Sequence, residues 1–468
     1  MIWDYLMYRF VAYFQNLFFF FDFCYHSGFA WILQILHRIT PTHCAALQRL
    51  FGYMLAGATP LNRLGYESPM SNKTQIGFSH FPFSSTLGAA TKPDALLNCL
   101  VFIPALIVPF SPFIAFFIGL LLLVVFGGGF QRWHRIFVSV VVIFAGAVLH
   151  VGNECKLDCL AYYTIYEKLL ENESWAFFVF GNGVEIASPI LFWLVGKIFG
   201  HLSSFHFTMA LIFVGGLLLY IWLEVYGLKQ VVQRQKAICI ALVLLFFDFF
   251  FAGFLTRQMF SSIMILYAIT AQRQESRFLF ILLATLFHTT ALIFLPIIWL
   301  LMRHPKLGIG LCIAICGSYI MFYEIVNILY QTPTSALFEP ILQKLHPFLK
   351  RSDEESVVDI RNIILTLFLL ICTWTYVNKS QAKWRHIIMG LGIIYFTAIF
   401  TDIYFSIRAG LLFFFVALGY FLFLALRKQP LLLYGVTLLC LESSARNLAK
   451  NPVFYNYDII GPFFYYLY

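Results

Sequence analysis

The stretch 97–126 runs thirty residues without a single charged side chain. In water such a stretch has no face to turn to the solvent. A helix needs roughly 20 mostly apolar residues to cross a bilayer, so a run of this length reads as a membrane span. Further apolar runs follow at 136–151, 209–223, 238–254, 258–271, 307–329, 360–377, 387–400, 407–426 and 431–441. Of all residues, 61% are hydrophobic and 11% charged, against about half and about a quarter in soluble domains. The expected fold class is all-α: a polytopic transmembrane helical bundle of about 10–12 spans, since only helices and closed barrels satisfy their backbone inside lipid.

The net charge of +9 does not call for nucleic acid. The basic residues sit in short clusters between apolar runs: Arg132 with Arg135; Lys229, Arg234 and Lys236; Arg273 and Arg277; Arg303 and Lys306; Lys379, Lys383 and Arg385; Arg427 and Lys428. That is the pattern of cytoplasmic loops under the positive-inside rule, and it attracts anionic membrane lipid. With all six clusters inside, the loop around Asp158, the turn at Arg257, the loop 331–359 and the turn 402–406 face outward.

Two consequences follow from that orientation. The apolar stretch 186–199 does not span, because 209–223 must already run inward; it is expected to lie in or dip into the outer interface. The stretch 278–301 begins and ends beside inward charges. It reads as two half-helices meeting near His288 and Thr289, with a single crossing as the alternative. A break at membrane depth is tolerated only where it is buried in protein or lines a wet cavity.

The polytopic domain is expected over 95–445. Before it lies an extension, 1–94, in which 16–36 is a further membrane segment or an interfacial hairpin and Met70 is an alternative start. A tail follows at 446–468. No internal repeat and no cleavable signal peptide is evident. Of the ten cysteines, only Cys155 and Cys159 fall in a polar loop, and their pairing is left open.

Ionisable groups are rare in such a chain, and they mark its candidate sites. The outward loop around Asp158 carries Tyr162, Tyr163, Tyr166 and Glu167; carboxylate and rings suit a sugar, and a solvated loop with interfacial tyrosines is the plainer reading. Glu185 and Ser188 precede the interfacial helix, which Glu185 caps in the plainer reading. Arg257 and Gln258 stand at an outer helix end. The planar fork of an arginine matches phosphate oxygens, and a cation there runs against the orientation rule. His288 at the helix break is a general-base candidate or a satisfied core group. Arg408 is again basic at an outer end, and Arg361 follows the acidic run Asp353, Glu354, Glu355 with which it also pairs well. Outward cations imply an anionic ligand, and a lipid pyrophosphate fits. No P-loop, dinucleotide fingerprint or zinc-protease motif is present, which counts against ATP hydrolysis and zinc proteolysis, and no metal or cofactor is implied.

In order along the chain stand D-C-L-A-Y-Y from Asp158, G-V-E-I-A-S-P-I-L-F-W-L-V from Gly183, R-Q-M-F-S-S from Arg257, L-F-H-T-T-A-L around His288 and S-I-R-A-G-L-L-F-F-F from Ser406. This series resembles the EpsG family, a branch of the Wzy-type bacterial polysaccharide polymerases, over about 97–441. The family's arginine shortly before the Asp loop has no counterpart here; His150 and Lys156 stand near its place. The resemblance implies a multi-pass protein of the bacterial inner membrane in exopolysaccharide, capsule or O-antigen biosynthesis. Its substrate would be an undecaprenyl-pyrophosphate-linked glycan, transferred to the sugar end of another lipid-linked repeat unit without metal or nucleotide. A chain-length regulator and a flippase of the same pathway are its implied partners. On this reading Arg257 and Arg408, with Arg361, meet the donor pyrophosphate. His288 or Asp158 takes the proton of the attacking hydroxyl. Glu185, Tyr162 and Gln258 contact substrate, with Glu185 orienting the acceptor sugar.

Two other classes remain open. A GT-C-type glycosyltransferase using a lipid-linked sugar would share the outward acidic loop, although Asp158 has only Glu154 and Glu167 near it. A lipid-linked glycan transporter would show matching halves, which this chain does not.

Overall fold

The computed structural model describes residues 93–151, 158–331, 360–377, 382–401 and 410–450. The expectations placed on 1–92, including 16–36 and Met70, on Cys155 and Lys156, on the loop 332–359, on the turn 402–406 with Arg408, and on the tail beyond 450 lie outside the described residues. The fold is all-α, with every regular element among the described residues helical.

The thirty-residue apolar run is not one span. It folds as α1 (Pro93–Ile107) and α2 (Pro112–Val125), packed back on each other. The signal for the turn lies in P-F-S-P. The Ser111 hydroxyl accepts the Ile114 N–H at 3.2 Å, and Pro112 takes the first helical position, where its missing N–H costs nothing. The helices α3 (Arg132–Val151), α4 (Asp158–Leu170), α5 (Ala187–Phe199) and α6 (Ser204–Trp222) follow. The run expected as a span over 238–254 is also broken. It forms α7 (Gln233–Phe246) and the short α8 (Phe249–Phe254). Asp248 makes that break: its carboxylate accepts the Phe251 N–H at 3.0 Å, and its own N–H donates to Phe415 O at 3.0 Å. Phe415 belongs to a wide π-turn, Leu411–Val416.

The second half contains α9 (Thr256–Thr270), α10 (Gln274–Phe287), α11 (Ala291–Arg303), α12 (Pro305–Gln331), α13 (Ile360–Tyr376), α14 (Ala382–Thr401), α15 (Leu418–Leu426) and α16 (Pro430–Lys450). Nearly all of α9 is buried, and α10 packs along it. At the crossing of α15 and α7, a Cβ on Gly419 would overlap the carbonyl oxygen of Leu242, so only glycine lets these two backbones approach so closely.

The basic clusters gather at one end of the bundle. There Arg135 pairs with Glu224 at 2.9 Å, and the Trp222 indole N–H donates to Thr270 Oγ1 at 3.0 Å. Lys383 donates to Ile269 O, and Arg277 donates to Ala271 O at 3.0 Å. The α10–α11 pair both leaves and returns toward this end. Leu301 lies against Gly390 in the first half of α14, beside Cys312, and Cys316 reaches Ile393 O further along. The two halves therefore meet at the opposite end, at His288–Thr290, which fits the two half-helices and not the alternative single crossing. At that same end α5 packs on α4 instead of running along the spans. Phe192 and Val195 of α5 share a separate core with Tyr162, Ile165 and Tyr166 of α4 and Phe207 of α6.

Among the described residues, two helices, Arg132–Leu149 and Ser204–Gly227, are long and apolar enough to cross a membrane by length and composition; six further apolar helices are shorter. The outward faces carry large apolar side chains: Phe278, Ile293, Ile371, Trp374, Leu431 and Leu439 are all more than half exposed. So many on several helices at once suit a hydrocarbon environment better than water.

Candidate functional site

Three chain segments converge at the end opposite the basic clusters, and each is placed there by a local feature. Arg257 stands in the first turn of α9. Glu185 leaves a short 3-10 turn, Phe180–Gly183, in which Gly183 takes φ +84°, a value that side chains with a Cβ rarely adopt. His288 is the extended residue that ends α10. Ser188, at the start of α5, donates to Phe287 O at 3.5 Å, which supplies one of the orphan carbonyls at the C-terminus of α10 and ties the two segments together.

Glu185 is the hub. Its side chain is only 2% exposed, while Arg257 and His288 keep 22% and 19%. Oε2 receives Nη1 of Arg257. Oε1 lies 2.6 Å from Nδ1 of His288 and accepts both the backbone N–H and the hydroxyl of Thr289, each at 2.9 Å. A carboxylate only accepts, so the His288 proton sits on Nδ1. Burial alone would raise the Glu185 carboxyl. The His288 hydrogen bond, the Thr289 amide and the charge of Arg257 outweigh it and hold the group at about 2. Glu185 does not cap its own helix, whose N-cap Ile186 receives no side-chain bond. It instead approaches the N-terminus of α11, whose N-cap is Thr290.

Arg257 is held on three sides. Nη1 meets Glu185, Nε donates to the Tyr162 hydroxyl at 3.4 Å, and the guanidinium lies 4.6 Å from the Phe180 ring centroid. Among the described residues, Nη2 of Arg257 and Nε2 of His288 meet no hydrogen-bond partner. The arrangement combines a positioned cation, able to receive an anion, with an imidazole able to accept a proton.

Of the other expected site residues, Tyr162 is buried beneath Arg257 and reaches the set through its hydroxyl. Tyr163 and Tyr166 donate their hydroxyls to Leu202 O and Gly200 O, which bind α4 to the start of α6. Gln258 is buried in α9. Asp158 is exposed in the first turn of α4, outside the hydrogen-bonded set. Arg361 begins α13; because Arg385 reaches Trp374 O at the far end of that helix, Arg361 starts from the same end of the bundle as Arg257. Phe180 and the Thr289 amide did not emerge from sequence reasoning, since neither carries charge. Asp248 did carry a signal, as the lone carboxylate of F-F-D-F-F-F, and it marks a helix break.

The fold and this site define an all-helical protein whose apolar bundle carries an arginine–glutamate–histidine cluster at one end. The chain belongs to the EpsG family, whose profile matches residues 135–459. No curated protein and no solved structure matches it significantly. Membership is consistent with a membrane protein of exopolysaccharide biosynthesis in a polymerase- or glycosyltransferase-like role.

Proposed function

We propose that this chain is a polysaccharide polymerase. It joins undecaprenyl-pyrophosphate-linked repeat units on the outer face of the bacterial inner membrane, which it crosses many times. The observation that carries the reading is the convergence of Arg257 and His288, each with an exposed edge, on one buried carboxylate. The outward placement is supported by the gathering of the basic clusters at the other end. It is also supported by the disulfide at Cys159, a bond that persists in oxidising compartments.

In the reaction, the hydroxyl oxygen of an acceptor sugar attacks the anomeric carbon of the donor. The bond from that carbon to the pyrophosphate oxygen breaks, and its electron pair leaves with the lipid pyrophosphate. Arg257 faces the growing negative charge with its free edge. Nε2 of His288 takes the proton of the attacking hydroxyl. No nucleotide is consumed, because the glycosyl bond to the pyrophosphate leaving group already carries the driving force.

The test is polymer length on a gel after deletion of the gene and complementation with wild type, Arg257→Ala and His288→Ala. Deletion should leave single lipid-linked units, and neither variant should restore long chains. Long polymer in the deletion strain would overturn the polymerase reading; restoration by Arg257→Ala would overturn the site.

A further inference from the structure

We infer that Glu185 is a positioning residue that contacts neither sugar: it holds Arg257 at one oxygen and, at the other, orients His288 so that Nε2 faces the substrate unprotonated. The inference rests on the polymerase reading above and changes the part given there to this residue by resemblance.

An ionised carboxylate offers about four lone-pair directions. Four donors from two chain segments already meet it: Arg257 Nη1 at Oε2, and His288 Nδ1–H, Thr289 N–H and the Thr289 hydroxyl at Oε1. Oε1 is therefore full, and one direction remains at Oε2. With 2% of the side chain exposed, burial closes that remaining direction to a sugar hydroxyl. A residue that gripped the acceptor would show the opposite, an open oxygen at the surface. The groups that do keep an exposed edge are its partners.

The hub also has a required polarity, which a glutamine of equal size cannot supply. If the Gln oxygen faced His288 and Thr289, its NH2 would point at the Arg257 donors and the cation would lose its anchor. If the NH2 faced His288, it would donate to Nδ1. The imidazole proton would move to Nε2, the lone pair would turn inward, and the Thr289 amide would lose its acceptor. Either orientation breaks one half of the site while the volume is kept. Thr289→Val is milder, because it removes one of the three donors at Oε1 and leaves the backbone N–H.

The experiment uses the purified full chain in detergent, with lipid-linked repeat unit extracted from the deletion strain as the probe. Glu185→Gln should lower kcat by about 10²–10⁴, the usual worth of a general base, with acceptor KM within about twofold, as for a group acting on the transition state alone. A raised acceptor KM at unchanged kcat would overturn the proposal in favour of sugar binding. A second readout needs no turnover. In ¹⁵N-histidine NMR at alkaline pH, with the His288 signals identified by their loss in His288→Gln, wild-type Nδ1 should be protonated and Nε2 bare; the reverse tautomer would overturn the proposal even if Glu185→Gln failed to fold. Long polymer in the deletion strain together with the expected tautomer would count against the polymerase reading alone.

Discussion

The guanidinium of Arg257 lies 4.6 Å from the ring centroid of Phe180, so one face of the cation is covered by an aromatic. Stacking adds to the hold of Glu185 and Tyr162, and all three depend on the planar shape of arginine.

Arg257→Lys should therefore not rescue Arg257→Ala. An ammonium keeps the charge but cannot lie flat on Phe180 while it donates to Tyr162 and Glu185 along separate edges. Turnover should fall by about 10²–10³ in both variants, the range seen when one charge-stabilising donor is lost. Rates of polymer formation by the purified variants check this; near-wild-type turnover with lysine would show that point charge suffices.

The acid behaviour has a definite sign. The Glu185 carboxyl is held at about 2, below its ordinary 4.5. A lowered folded value contributes stability that is present above the unfolded value and is lost as pH falls through the folded one. Melting temperature in detergent should carry this contribution at pH 5 and above, and lose it between about 4.5 and 2. The Glu185→Gln protein lacks that component, so its curve over the same window should be shallower than wild type.

At the basic end, Arg135 and Glu224 form a buried pair at 2.9 Å, with side-chain exposures of 2% and 8%. Removing Arg135 leaves Glu224 only the longer contact to the exposed Arg132, at 3.8 Å. Arg135→Ala should cost about 3–5 kcal/mol, whereas replacing both residues by apolar ones of similar size should come out close to wild type. Thermal unfolding of the single and double variants makes the comparison, and equal losses would mean that the pair is not sealed from water.

Gly419→Ala should loosen the crossing of α15 on α7. The added methyl meets backbone, Leu242 O and Val243 Cα, which cannot rotate away as a side chain would. A cost of about 1–3 kcal/mol is expected for such overpacking. Gly435→Ala on α16, where a Cβ would meet open space, is the control and should melt like wild type.

Helical character and the sidedness of charge were legible in the order of the residues, because both arise from local properties: the apolar run and the placement of Lys and Arg between runs. The break at His288 was the favoured reading of the same count, since basic clusters flank 278–301 on both sides, although a single crossing remained as the alternative. Where one run became two helices the reading was too coarse. Hydropathy alone does not register that Ser111 and Pro112 start a new helix, or that Asp248 caps one.

The candidate residues Arg257, His288 and Glu185 were likewise visible as rare ionisable groups in apolar surroundings. Their partnership was not. Glu185 and His288 are 103 positions apart and meet at 2.6 Å only because α5 packs on α4 while α10 ends beside it. Composition and charge spacing thus settled what kind of protein this is, since each residue expresses them alone. Which oxygen receives which donor depends on how distant helices pack, and that is a property of the whole fold.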